Sequence, residues 1–113
     1  MIEDFRTDFG RYRDLGEKAL AQIPDAALNA LPSGDANSAA MIVRHVSGNL
    51  ISRFTDFLTT DGEKPDRDRD AVHRALTRSL AHICYHVGQI VLLARMHAGS
   101  DWRWLSIPKK KEP

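Results

Sequence analysis

One periodicity governs this chain. Val72, Leu76, Leu80, Ile83, Val87, Ile90 and Leu93 follow one another at three- and four-residue steps, with Ala94 beside the last, a spacing that lines one stripe of an α-helix and no single face of a strand. Asp70 is a candidate N-cap and Ala98-Gly99-Ser100 a stop, so the pattern predicts a helix from about Asp70 to about His97. The same period occurs twice upstream. Phe5, Phe9, Tyr12, Leu15, Ala19, Leu20 and Ile23 mark a helix over 2–23 that Pro24 ends. Gly10 and Gly16 within it each cost on the order of 1 kcal/mol relative to Ala, so its stability depends on packing. Ile42, Val43, Val46, Leu50, Phe54, Phe57 and Leu58 mark another from about Ser38 to Leu58, capped by Asn37 or Ser38. No segment alternates apolar and polar residues as a half-buried strand does, and none repeats. The predicted fold class is all-α, an up-and-down bundle of three main helices in a single domain over 1–113.

The connections support that division. Pro24 to Ala36 holds Pro32, Gly34 and short polar residues, with room for a helical turn at Asp25 to Ala30. Gly62, Pro65 and the eight charged side chains from Asp61 to Asp70 make TTDGEKPDRDRD a solvated link with no apolar face to bury. The last residues, DWRWLSIPKKKEP, are too short for a domain, so Trp102, Trp104, Leu105 and Ile107 are expected to fold back on the helices. Sixteen basic residues against fifteen acidic ones leave a formal charge of +1, which argues against a nucleic-acid-binding surface beyond the short run Lys109 to Lys111. A single cysteine, Cys84, excludes an intrachain disulfide and cysteine-rich zinc modules and fits a reducing, cytoplasmic setting. The acidic start MIEDFRTDFG is unlike a secretory leader, and no uncharged apolar run is long enough to span a membrane.

Five histidines remain to be placed. His82 and His86, four apart, put both imidazoles on one helical face a turn from each other, where they can meet one divalent ion. The residues between them are Ile83, Cys84 and Tyr85, so the glutamate of a zincin-type protease is missing. His45 lies fourteen residues before Thr59, and His82 thirteen after Arg69, about 20 Å each at 1.5 Å per residue. If the two helices pair antiparallel across the charged link, His45 comes level with His82 and His86. Three neutral imidazoles then form the protein side of an open metal site. Three structural histidines, buried or exposed, are the competing reading. His73 is about 180° round the helix from His82, His97 about 16 Å beyond His86, and Cys84 about 200° from His82, so none of these joins the same ion.

Other residues read less sharply. Asn49 and Gln89, each about a turn beyond a histidine, either line the same cavity and support its ligands or are ordinary polar residues at a helix boundary. Tyr85 either offers its hydroxyl there or packs half-buried, which is the better expectation. Gly48 either allows close helix approach or is a tolerated weak point. Arg53, Asp56, Arg67, Arg69 and the acids near them read as a solvated, self-pairing cluster in preference to an anion site. Cys84, on an apolar helix without a basic partner at a suitable angle, reads as packing.

The stretches NSAAMIVRHVSGNLISRFTDFLTTDGEKPDRDRD, RSLAHICYHVGQIVLLAR and WRWLSIPK, with GEKALAQI in the first helix, resemble a DinB-like family of uncharacterised bacterial proteins within the DinB/YfiT superfamily. The resemblance covers nearly the whole chain from Asn37 onward. It implies a four-helix bundle in which one histidine of the second helix and an HxxxH pair of the last hold a divalent metal, positions matched here by His45, His82 and His86. The metal's identity, Zn, Ni or Fe, is left open. Family members carry a further helix between the GEKP region and the last helix, whereas here Asp70 leads almost directly into AVHRALTRSLAH. Either residues are missing between Asp70 and Ala71, or three wide apolar faces leave a groove for another molecule, and the expected partner is a second copy in a homodimer.

The superfamily implies metal-dependent chemistry on small molecules, including thiol S-transfer. The expected activity is therefore a thiol S-transferase or hydrolase acting on a small-molecule thiol or electrophile. No Asp or Glu lies on the ligand stripe beside His82 and His86, so no general base is identified. The alternative is a non-catalytic dimeric helical scaffold or sensor whose metal is structural or absent.

Overall fold

A computed structural model describes residues 2–55 and 69–106. Among them the regular structure is all-helical: α1 (Ile2–Leu20), α2 (Ala39–Phe54) and α3 (Arg69–Ala98), with short 3-10 turns at Asp25–Ala27 and Gly99–Asp101. At 1.5 Å per residue α3 is about 45 Å long, nearly twice the length of α2.

α3 is the spine of the molecule. It packs most extensively against α1 and less against α2. Phe5 sets its ring edge-on to His73, 5.5 Å between centroids, and Gly16 faces Val87, so position along the two helices rises together and α1 runs parallel to α3. Gly16 is buried, and a Cβ added there would stand 3.5 Å from a Val87 methyl, an ordinary contact that leaves no spare room. α2 runs the other way: its first turns share a core with the last turns of α3, and its middle meets His82 and His86. The order is up, down, up.

The core lies at one end of this arrangement. Ala19 from the end of α1, Ile23 just beyond it, Ala39 and Ile42 from the start of α2, and Ile90, Leu93 and Ala94 from α3 are all nearly inaccessible, with Leu28, Val46, Trp102 and Leu105 packed against them. Ser38 seals the start of α2. It is 1% exposed, its backbone is extended and its Oγ accepts the Met41 N–H at 3.2 Å, while the Ala40 N–H is taken by the Leu28 carbonyl at 2.9 Å. Two of the amides that a helix start leaves without partners are satisfied in this way. Gly99, with φ of 56°, lets the chain leave α3 in the left-handed conformation that side chains resist.

Trp102 and Leu105 fold back on the helices as expected. Trp104 instead lies 44% exposed beneath the Arg95 guanidinium, 4.8 Å from its ring centroid. Ile107 and the Lys109–Lys111 run lie outside the described residues, as do Asp56 to Arg67. The side chain of Gln22 holds the returning segment on both sides: its amide donates to the Arg103 carbonyl and its oxygen accepts the Arg103 N–H, each at 2.9 Å. Two boundaries differ from expectation: α1 ends at Leu20 and not at Ile23, and α2 is also shorter. α2 ends at Phe54, with Thr55 already extended, and not near Leu58. In this last turn Ile51 is 68% exposed while Phe54 is half-buried; Phe57 and Leu58 lie outside the described residues.

Candidate metal centre

The three predicted histidines meet where the packed end of the molecule gives way to the open end. His45 reaches across from α2, while His82 and His86 stand one turn apart on α3; one ring nitrogen from each lies within 4.8 Å of the other two. His82 Nε2 is 3.1 Å from His45 Nε2 and 3.1 Å from His86 Nε2. The rings stand edge to face, with centroids 4.5 to 5.0 Å apart.

Hydrogen bonding alone does not account for this cluster. A ring nitrogen has one in-plane position, filled either by a proton or by a lone pair. His82 Nε2 therefore serves one of its two 3.1 Å neighbours and leaves the other approach unsatisfied. A shared cation removes the conflict, because each nitrogen then directs its lone pair to one point. Imidazole nitrogens bound at about 2.1 Å stand about 3.0 Å apart at right angles and about 3.4 Å apart at the tetrahedral angle. The two 3.1 Å separations fall in that range.

The tautomer of the buried histidine, His86, is fixed from outside the cluster. His86 Nδ1 lies 2.8 Å from Gln89 Oε1; the amide oxygen can only accept, so the proton sits on Nδ1 and the Nε2 lone pair is left for the site. Burial holds His82 below its ordinary value, reinforced by the charges of His86, His45 and Arg53, which keeps that imidazole in the neutral form a ligand needs. Exposure is graded across the trio. His86 is buried, His82 half-buried and His45 exposed, so solvent and small molecules approach from the α2 side.

Gln89 thus hydrogen-bonds His86, one of the three candidate ligands. Asn49 is half-buried and no hydrogen bond joins it to the trio among the described residues. Tyr85 departs from the packing reading: it is 56% exposed, with its ring tilted over His86 at 4.2 Å and edge-on to His82 at 5.2 Å, forming an aromatic wall at the rim. Gly48 has open space around its Cα, so it does not serve close helix approach. His73 and His97 lie outside the cluster and Cys84 is a half-buried free thiol. Sequence reasoning missed the action of Arg53 on His82, since eight residues separate Arg53 from His45 on α2 and α3 brings His82 within its reach only in the folded chain.

The sequence matches a family described as "protein of unknown function (DUF1572)" in two stretches, residues 1–73 and 71–111. The chain belongs to this family. The two stretches of the DUF1572 match meet at Ala71–His73, beside the Asp70–Ala71 junction, and α3 runs through that seam without a break. No curated protein and no solved structure matches the chain. Among the described residues no helix is long and apolar enough to cross a membrane.

Proposed function

We propose that this DUF1572 protein is a DinB-like metalloprotein that binds one divalent ion, Zn, Ni or Fe, through His45, His82 and His86, and acts on a small molecule as a thiol S-transferase or hydrolase. The observation that carries the reading is the meeting of three imidazole nitrogens within 4.8 Å, together with the Gln89 oxygen that turns the His86 lone pair toward them. Such an ion, when bound, lowers the pKa of a thiol or water beside it and yields a nucleophile near neutral pH.

The chain's own residues do the rest. Gln89 holds one ligand in a single tautomer and orientation; His82 remains neutral because its charged form is disfavoured. His45, on the exposed side, leaves an approach for substrate, and the Tyr85 ring offers an apolar face beside it. No carboxylate stands on this stripe, so proton transfer falls to water or to the substrate.

Elemental analysis of untagged, dialysed protein is the direct test. About one divalent ion per chain is expected, lost in a His82→Ala/His86→Ala variant. Gln89→Leu should weaken metal affinity about 10- to 100-fold while leaving the fold intact by circular dichroism. Wild-type protein that takes up no ion overturns the reading. The alternative is a non-catalytic scaffold or sensor; turnover of no thiol or ester by the loaded protein would decide for it.

A further inference from the structure

The two helices that build the trio carry no negative charge among their described side chains. Residues 39–55 and 71–98 contain Arg44, Arg53, Arg74, Arg78 and Arg95 and not one Asp or Glu. The described ion pairs, Arg6 with Glu3 and Arg13 with Glu17, both lie within α1. The ligand set is itself uncharged, so a divalent ion held there keeps its full charge, and a site of that sign concentrates anions.

Two of the arginines flank the trio on its open side. Arg78 precedes His82 by one turn, about 6 Å along α3 and about 40° round from it. Arg53 follows His45 by two turns, about 12 Å along α2. Since α2 and α3 are antiparallel, both lie beyond His82 in the same direction, one on each wall.

We infer that the ligand of this site is a small molecule bearing a carboxylate or phosphate, with its reacting atom at the His45–His82–His86 trio and its anionic group one to two helical turns away, between Arg53 and Arg78. The inference rests on the metal-binding reading and adds the charge and the span of the ligand. Guanidinium groups suit the anionic end because they stay protonated and present paired donors.

The test uses full-length protein loaded with cobalt(II), whose thiolate charge-transfer absorption reports binding without turnover. The probes are 6-mercaptohexanoate and 6-mercaptohexan-1-ol, which match in length and differ in the terminal charge. The carboxylate thiol should bind on the order of tenfold or more tightly than the alcohol, and the preference should collapse in Arg53→Gln/Arg78→Gln while cobalt stoichiometry is unchanged. Arg53→Lys/Arg78→Lys, which keeps both charges, should restore much of it. Equal affinities, a preference that survives the double Gln variant, or no thiolate band from either probe overturns this inference alone. Failure to load cobalt overturns the metal reading, and this inference with it.

Discussion

His82 is the residue on which the electrostatics of the site converge. It faces two imidazoles at 3.1 Å and the field of Arg53, and burial is the largest of the influences that depress its pKa. In the unfolded chain it titrates near the ordinary value of 6.5. Between that value and its lower folded one the unfolded state binds more protons, so stability falls as pH drops through this window and is unaffected well above it. Metal-free protein should therefore show a melting temperature that is level well above pH 6.5 and declines as the pH falls below about 6.5, with the decline reduced in His82→Gln; an equal decline in both would show that other groups set it. At this scale the sequence was most informative where geometry is simple. A four-residue spacing on one helix and a matched depth on another located His82, His86 and His45. Tyr85 was not legible in the same way, because its exposure depends on whether anything lies over α3, and no pattern local to residues 82–89 records that.

Among the elements, α2 shows most clearly what sequence patterns decide and what they leave to packing. Its start was legible to within one residue, because Asn37 and Ser38 both offer a capping side chain just before the periodic run, and Ser38 is the one that caps. Its end was not, because the apolar period continues through Phe57 and Leu58 in the sequence, whereas the helix ends at Phe54 and Thr55 is already extended. Replacing Ser38 by Ala leaves the Met41 N–H without its buried acceptor and should cost about 1 kcal/mol of stability, read as a lower urea midpoint at unchanged slope, with metal stoichiometry preserved; no shift would mean that water satisfies that amide. α3 was legible over nearly its whole length because its apolar period is unbroken and residues 70–97 contain no proline and a single glycine, Gly88. The direction of α1 along α3 was not, since an apolar stripe fixes which face is buried and not which way the partner runs.

As a whole molecule the protein is long and flat, 55 × 35 × 20 Å with a radius of gyration of 16.9 Å, against about 13 Å for a compact domain of this length. Tyr85, Leu92 and Met96, exposed by 56%, 60% and 60%, follow one another along the side of α3 next to His82, away from α1. The homodimer expected from the sequence would cover them. Light scattering should then give twice the 12.7 kDa chain mass at micromolar concentration, reverting to one chain mass in Leu92→Glu; a monodisperse wild-type monomer excludes the dimer. The two-sided grip of Gln22 on Arg103 spans 81 positions of sequence. Gln22 follows α1 and Arg103 follows α3, so the grip is expected to close once those two helices dock, as a late-closing latch. Cutting it should hasten unfolding far more than it slows folding, which would make Gln22 a determinant of how long the native state lasts and leave the speed of its formation nearly untouched.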